Sequence, residues 1–256
     1  NTAYCVAHEA IRLETVGFKD MPLRGEQLDK AKNLIRQGME EGAVGLATGM
    51  SYFPNAWSDT DELVELCKVV AEYGGVYVTH LRDKNTDRGF GGGGVAEALE
   101  IGRRSGAKVH FSHFRTDEST AGRVSERTQL IDKAINEGIN ISLELYPYPT
   151  GSTFPLSFLP SYAHEGGPEA IMQRLENPQE RKKLADYLDN DYPRPIYDAV
   201  FSYVPLNADL EGKSLPQVAS ERGTSLGTTL CDMLLENKAQ VGYWGSPPVS
   251  VSAWDQ

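Results

Sequence analysis

Glycine closes a recurring unit in the first 150 residues, and that recurrence constrains the fold more than any other feature. A short apolar strand is followed by a loop, then an amphipathic helix that stops at glycine, then the next strand. The strands predicted are 4–7, 43–48, 76–80, 109–113 and 139–146, and from the second onward their starts lie 30 to 33 residues apart. The intervening helices stop at Gly42, Gly74-Gly75, Gly106 and Gly138. Glycine suits this position because it takes the left-handed conformation that closes a helix C-terminus without a Cβ penalty. Leu63, Leu66, Cys67, Val70 and Ala71 form one helical stripe, with Ser58 or Thr60 as N-cap, and Leu130, Ile131, Ala134 and Ile135 form another. A crossover of this length makes neighbouring strands parallel. Two closures satisfy the pattern, an open doubly wound sheet or a (β/α)8 barrel.

The rhythm breaks after Tyr146. Pro147, Pro149, Pro155 and Pro160 punctuate a loop, and two short polar helices follow. The second starts at Asn177-Pro178-Gln179-Glu180, with Asn as N-cap, Pro at the first helical position and Glu two residues on. A strand is expected over 199–204, helices over 215–222 and 226–236, and a last strand over 240–244. We therefore expect residues 1–152 to form a partial barrel of about five βα units and residues 153–256 an α-rich insertion or lid that returns toward the last strands. A strand at the first residues, with no methionine before it, makes an internal fragment the expected reading.

Composition excludes several functions. The net charge is −11, which argues against a nucleic-acid backbone as partner and favours solubility. No apolar run approaches the roughly 18 residues of a membrane span, and no signal-peptide pattern opens the chain. Three widely spaced cysteines, Cys5, Cys67 and Cys231, suit reduced thiols in a cytoplasm better than a disulfide framework. Oligomeric state is not legible.

The chemistry-bearing residues gather at strand ends. His80 and His113 each end a strand one βα period apart, which places two imidazoles side by side on the C-terminal edge of a parallel sheet, where α/β folds keep their sites. Imidazole is the commonest transition-metal ligand, so the pair reads either as a metal site or as polar strand ends satisfied by backbone. His110, three residues before His113, should point to the opposite face. His8 is a weaker candidate at the same rim, and His164 should be on the surface. Arg82 and Arg115 lie two residues past the histidines and could clamp a carboxylate with paired hydrogen bonds, or simply pair with loop acids. Glu144, Tyr146 and Tyr148 alternate on the fifth strand, with Glu144 either a base or a charge partner. Gly89–Gly94 formally matches a dinucleotide-binding spacing, but the loop from His80 is too long for that tight turn, and a rim loop is expected.

Several of these segments resemble, in order, the D-aminoacylase (N-acyl-D-amino-acid deacylase) family of the amidohydrolase superfamily. They are Val6-Ala7-His8-Glu9-Ala10-Ile11-Arg12, residues 42–54 from Gly42 to Pro54, Thr79-His80-Leu81-Arg82, Ser112-His113-Phe114-Arg115 and residues 145–152 from Leu145 to Ser152. The resemblance covers most of residues 1–152 and becomes loose after about residue 155. It implies a zinc-dependent (β/α)8 barrel that cleaves the amide of N-acyl-D-amino acids. His80 and His113 would bind Zn2+, while Tyr52, Arg82, Arg115, Tyr146 and Ser152 would contact substrate. The family's His-x-His and cysteine ligands lie upstream of these residues, and its catalytic aspartate falls after Gln256. The fragment is therefore expected to be inactive alone. Lys84 stands where the family often has glutamate and Arg115 where it often has lysine, which bears on acyl-substrate specificity. Two other readings remain open: an amidohydrolase acting on a cyclic amide or imide, as dihydroorotase does, and a non-catalytic barrel remnant serving as a binding or scaffold module.

Overall fold

The glycine-ended repeat becomes five parallel strands. The computed structural model describes residues 2–114, 123–148, 150–192 and 199–245, and the chain divides into two compact units, Asn1–Pro147 and Tyr148–Gln256. In the first unit, β1 (Cys5–Ala7), β2 (Gly45–Gly49), β3 (Val76–His80), β4 (Lys108–Phe114) and β5 (Ile141–Leu145) form one sheet in the order β1-β2-β3-β4-β5. The order follows the sequence without reversal. Helices α1 (His8–Thr15), α2 (Gly25–Glu40), α3 (Thr60–Glu72), α4 (Gly94–Ser105) and α5 (Val124–Asn136) make the crossovers. Gly42, Gly74, Gly106 and Gly138 all have positive φ, as helix-terminating glycines require. The N-cap of α3 is neither Ser58 nor Thr60 but Asp59, whose carboxylate accepts from the Glu62 N–H at 2.9 Å.

Alternation along the strands decides which side chains are buried. Leu46 pairs in register with Tyr77, and Tyr77 with Val109. These residues and Phe111 face the helices, against Ile35, Leu63, Leu66, Val70 and Ile101. Each such fully buried apolar side chain stabilises the fold by about 1.5–3 kcal/mol. Buried polar groups on this face find one another: the Thr48 hydroxyl reaches the Thr79 hydroxyl at 3.0 Å and the Tyr77 hydroxyl at 3.1 Å. The opposite face carries Ala47, Val78, His110 and Ser142, residue by residue across four strands. All four are half-buried or exposed.

The second unit is built differently. Strands β6 (Gly151–Thr153), β7 (Val200–Tyr203) and β8 (Gly242–Gly245) form an antiparallel sheet in the order β6-β8-β7. Around it lie α6 (Ser161–His164), α7 (Gly167–Glu176), α8 (Pro178–Asn190), α9 (Leu215–Arg222) and α10 (Leu226–Glu236). Asn177 caps α8, accepting from the N–H groups of Gln179 and Glu180, and its core holds Leu175, Leu184, Phe201, Leu230 and Leu234. His164 is not a surface residue. The single turn of α6 directs both Ala163 and His164 inward, and both are buried.

Candidate functional site

The backbone ladder between β2 and β3 sets the first histidine. Gly49 pairs with His80, and one step further the Met50 N–H donates to the His80 carbonyl at 3.0 Å. This carries Ser51 alongside the end of β3, where its hydroxyl donates to the Leu81 carbonyl at 3.0 Å and lies 2.9 Å from Nε2 of His80. A turn follows, closed by the Tyr52 N–H on the Gly49 carbonyl, and it sets the Tyr52 ring 5.1 Å from the His80 ring.

The second histidine arrives by a different device. Val78 pairs with His110, so His110 shares the face of His80, and uniform alternation would send His113 to the helix side. A β-bulge prevents this. Between the pairs Phe111–Leu143 and Phe114–Leu145, β4 advances three residues while β5 advances two. His113 takes φ 38°, a left-handed conformation that costs a side-chain-bearing residue about 1–3 kcal/mol. Its N–H leaves the ladder and donates to the Glu144 carboxylate at 3.2 Å. The bulge swings the imidazole toward β3, and Nε2 of His113 lies 2.9 Å from Nδ1 of His80. The expected face of His110 is thus corrected: it lies on the same face as His80, its Nδ1 2.8 Å from the Ser142 hydroxyl. The Tyr146 ring, just past β5, lies 6.2 Å from the His113 ring and nearly perpendicular to it. Tyr52, His80, His113 and Tyr146 therefore form a row of rings along the C-terminal edge.

Arg82 does something other than wait for a carboxylate. Its side chain is buried, its Nε and Nη2 donate to Glu97 at 2.7 and 3.1 Å, and its Nη1 and Nη2 also donate to the carbonyls of Ala56 and Ser58. With a weaker contact to the Asn85 carbonyl at 3.5 Å, all five guanidinium protons are directed at protein acceptors. The expectation of a substrate contact is corrected on that ground. Glu97 also accepts from the Thr60 hydroxyl at 2.9 Å, which in turn accepts from the Phe90 N–H at 2.8 Å. The glycine run belongs to this arrangement. At Gly93, φ is 88°, and a Cβ would stand 3.0–3.1 Å from Cβ, Cγ and Cδ of Arg82. Glycine lets the loop close over the arginine stem.

The remaining expected residues are scattered. Arg115 lies outside the described residues. Ser152 is on β6 in the second unit, its hydroxyl donating to the Tyr243 carbonyl at 3.2 Å. His8 is fully buried and meets Glu62 at 3.0 Å. Arg12 donates to both oxygens of Glu62 at 2.8 Å, and the Leu23 N–H donates to Oε2 at 2.7 Å. Burial alone would push the Glu62 carboxyl up, but the hydrogen bond from His8, the charges of His8 and Arg12 and the Leu23 N–H together hold it below the usual carboxylate range. The cysteines are free, and burial pushes the Cys67 thiol up and Cys231 to about 12. Neither buried thiol is poised as a nucleophile. Ser51 is the residue sequence reasoning missed. It sits inside the quoted motif, where nothing in the sequence marks it as a partner of His80.

No protein-family model matches the chain. Among curated proteins it is 32% identical over 158 residues to a D-aminoacylase of Alcaligenes xylosoxydans xylosoxydans, which covers 60% of this chain and 31% of that protein. It is 30% identical over 155 residues to an N-acyl-D-aspartate deacylase of the same organism, again covering 60% of this chain and 30% of the relative. The matched stretch spans about a third of these relatives' length. Among solved structures, the N-acyl-D-glutamate deacylase of Bordetella bronchiseptica, complexed with zinc and a phosphonate inhibitor, superposes with a TM-score of 0.72 at 23% identity, covering 99% of this chain and 45% of that one. A D-aminoacylase structure gives 0.71 at 22% identity with the same coverage. These likenesses share the α/β fold, and the sequence relatives agree with the motifs.

Proposed function

We propose that this relative of the N-acyl-D-amino-acid deacylases is part of a metal-dependent hydrolase that cleaves the amide bond of N-acyl-D-amino acids. The observation that carries the reading is the convergence of Nδ1 of His80 and Nε2 of His113 to 2.9 Å at the C-terminal edge of a parallel sheet. Strands in unbroken sequential order, with no switch point of the doubly wound kind among the described strands, support a partial (β/α)8 barrel. In this reading residues 1–152 are the barrel segment carrying the histidine pair, and residues 153–256 are an insertion.

The donor set fits a zinc-like cation in part. Two imidazole nitrogens this close can both reach one ion at about 2.0–2.1 Å. No group of three or more His, Cys, Asp or Glu side chains placed to hold a metal occurs among the described residues. His80 and His113 would therefore supply two ligands, and the resemblance assigns the others, with the aspartate that moves the proton, to positions outside these 256 residues. When bound, the ion would polarise the amide carbonyl and acidify a water. This chain's own residues would bind and orient. The Tyr52 and Tyr146 rings flank the histidines, and their hydroxyls would donate to the carbonyl oxygen as negative charge develops on it. Arg115, and not Arg82, would take the substrate carboxylate with two parallel hydrogen bonds.

A net charge of −11 supports a small-molecule substrate over nucleic acid. No described helix is long and apolar enough to cross a membrane, and the free thiols suit a cytoplasmic setting.

Zinc titration of the 256-residue chain, followed by competition with a chromogenic chelator, tests the reading. We expect specific binding that falls at least about tenfold in both His80→Ala and His113→Ala. Binding indifferent to both substitutions, or none, would leave a scaffold remnant. Assay against N-acetyl-D-amino acids with zinc should show no turnover, and clear turnover would overturn the assignment of ligands and base outside the chain.

A further inference from the structure

We propose that Ser51 is a positioning residue that fixes the tautomer of His80, its hydroxyl holding the proton on Nε2 and leaving Nδ1 as the bare nitrogen facing His113. The Ser51 hydroxyl has one proton to donate. A carbonyl oxygen only accepts, so the 3.0 Å contact between Ser51 and Leu81 uses the one hydroxyl proton of Ser51. Only lone pairs then remain on Oγ for the 2.9 Å contact with Nε2 of His80, and that contact is a hydrogen bond only if Nε2 carries the proton. A neutral imidazole protonated at Nε2 presents a lone pair at Nδ1, the nitrogen that lies 2.9 Å from His113. The other tautomer would set two lone pairs against each other at Ser51.

The relay is held from behind. Ser51 is 5% exposed. The Leu81 carbonyl that orients it belongs to the peptide joining Leu81 to Arg82, whose guanidinium is tied to Glu97 and whose own carbonyl accepts from the Gly94 N–H at 3.1 Å. The Met50 N–H on the His80 carbonyl fixes the other side. The segment 80–82 is therefore anchored at three points, and the hydroxyl has little choice of acceptor. In metal sites the ring nitrogen remote from the ion commonly donates to a carboxylate or carbonyl, which sets tautomer and orientation. Here a neutral hydroxyl performs that task, accepting from Nε2 while donating its own hydrogen bond to a carbonyl. The tautomer rests on the hydrogen bonds alone, and its consequence for metal affinity rests on the function proposed above.

The test is the two-bond ¹H–¹⁵N spectrum of imidazole-labelled, metal-free chain, with His80 assigned by its loss in His80→Ala. We expect wild-type His80 to show the pattern of a single Nε2-protonated tautomer. Ser51→Ala should give a mixture of tautomers and about 10–100-fold weaker zinc binding, and Ser51→Thr, which keeps the hydroxyl, should restore both. A wild-type His80 protonated on Nδ1 would overturn the inference, even if Ser51→Ala failed to fold. An unchanged tautomer in folded Ser51→Ala would overturn it too, whatever happened to zinc. Loss of all zinc binding in the wild type, with the tautomer as expected, would defeat the proposed function and leave the role of Ser51 standing.

Discussion

His8 and His80 stand at equivalent places, each at the C-terminal end of a parallel strand, and each meets one oxygen through Nε2 at about the same distance. For His8 the oxygen belongs to Glu62, at 3.0 Å, and for His80 to Ser51, at 2.9 Å. The surroundings then diverge. Glu62 is shared with Arg12 and the Leu23 N–H, all within the protein, and no partner among the described residues meets Nδ1 of His8. His80 is half-buried, and its Nδ1 faces a second imidazole. A carboxylate partner turns a strand-end histidine into one member of a closed charge cluster. A hydroxyl partner, itself oriented by a carbonyl, holds the ring without forming an ion pair, and in the proposed reading the other nitrogen is the one that binds the metal. Position on the sheet edge alone thus does not distinguish the two histidines; the partner of Nε2 does.

The contrast can be broken most sharply at Glu62. Glu62→Ala should cost about 3–5 kcal/mol, because it strands Arg12 in the interior, and urea unfolding should show it with zinc binding nearly intact. If zinc binding were lost while stability held, the two histidines would have exchanged roles. The same carboxyl sharpens the acid limb. Its native pKa is held below the ordinary 4.5, so ionised Glu62 favours the fold fully above about that pH. Its contribution fades as pH falls through the lower native value. The free energy of unfolding measured between pH 7 and pH 3 should therefore fall less steeply in Glu62→Gln than in wild type. Arg82→Lys should cost about 2–3 kcal/mol, since an ammonium cannot fill the acceptors a guanidinium reaches. Gly93→Ala should cost about 1–3 kcal/mol, from positive φ and the close approach of the Arg82 stem. Smallest of all, His80→Ala should change stability by less than about 1 kcal/mol while weakening zinc binding, the mirror image of Glu62→Ala.

Much of the first unit was legible because its signals are local. Helix-ending glycines and apolar stripes at 30- to 33-residue spacing carry the order of strands and helices, and all five strands form within two residues of their expected bounds. What was hidden depends on contacts far apart in sequence. Nothing near Arg82 announces that Glu97, Ala56 and Ser58 converge on it. His164 lies in a polar stretch, yet its turn packs against a core assembled from distant helices. The face of His110 was misread because alternation was extended through His113, where the strand does not alternate. Ser51 was invisible as a partner because its proton acceptor, Leu81, is 30 residues away.

The bulge in β4 has a further meaning for how the site relates to its scaffold. Phe111 and Phe114, three apart, are both buried, and their rings meet at 5.7 Å. Two-residue parity is thus broken once, between them, and restored for the core. Deleting His113 would leave Phe111 and the next phenylalanine in plain alternation, with Val109 before them on the same side. The imidazole is a supernumerary letter in the strand. It can be inserted or removed without rewriting the hydrophobic message around it, so the proposed ligand and its scaffold can change independently at this position.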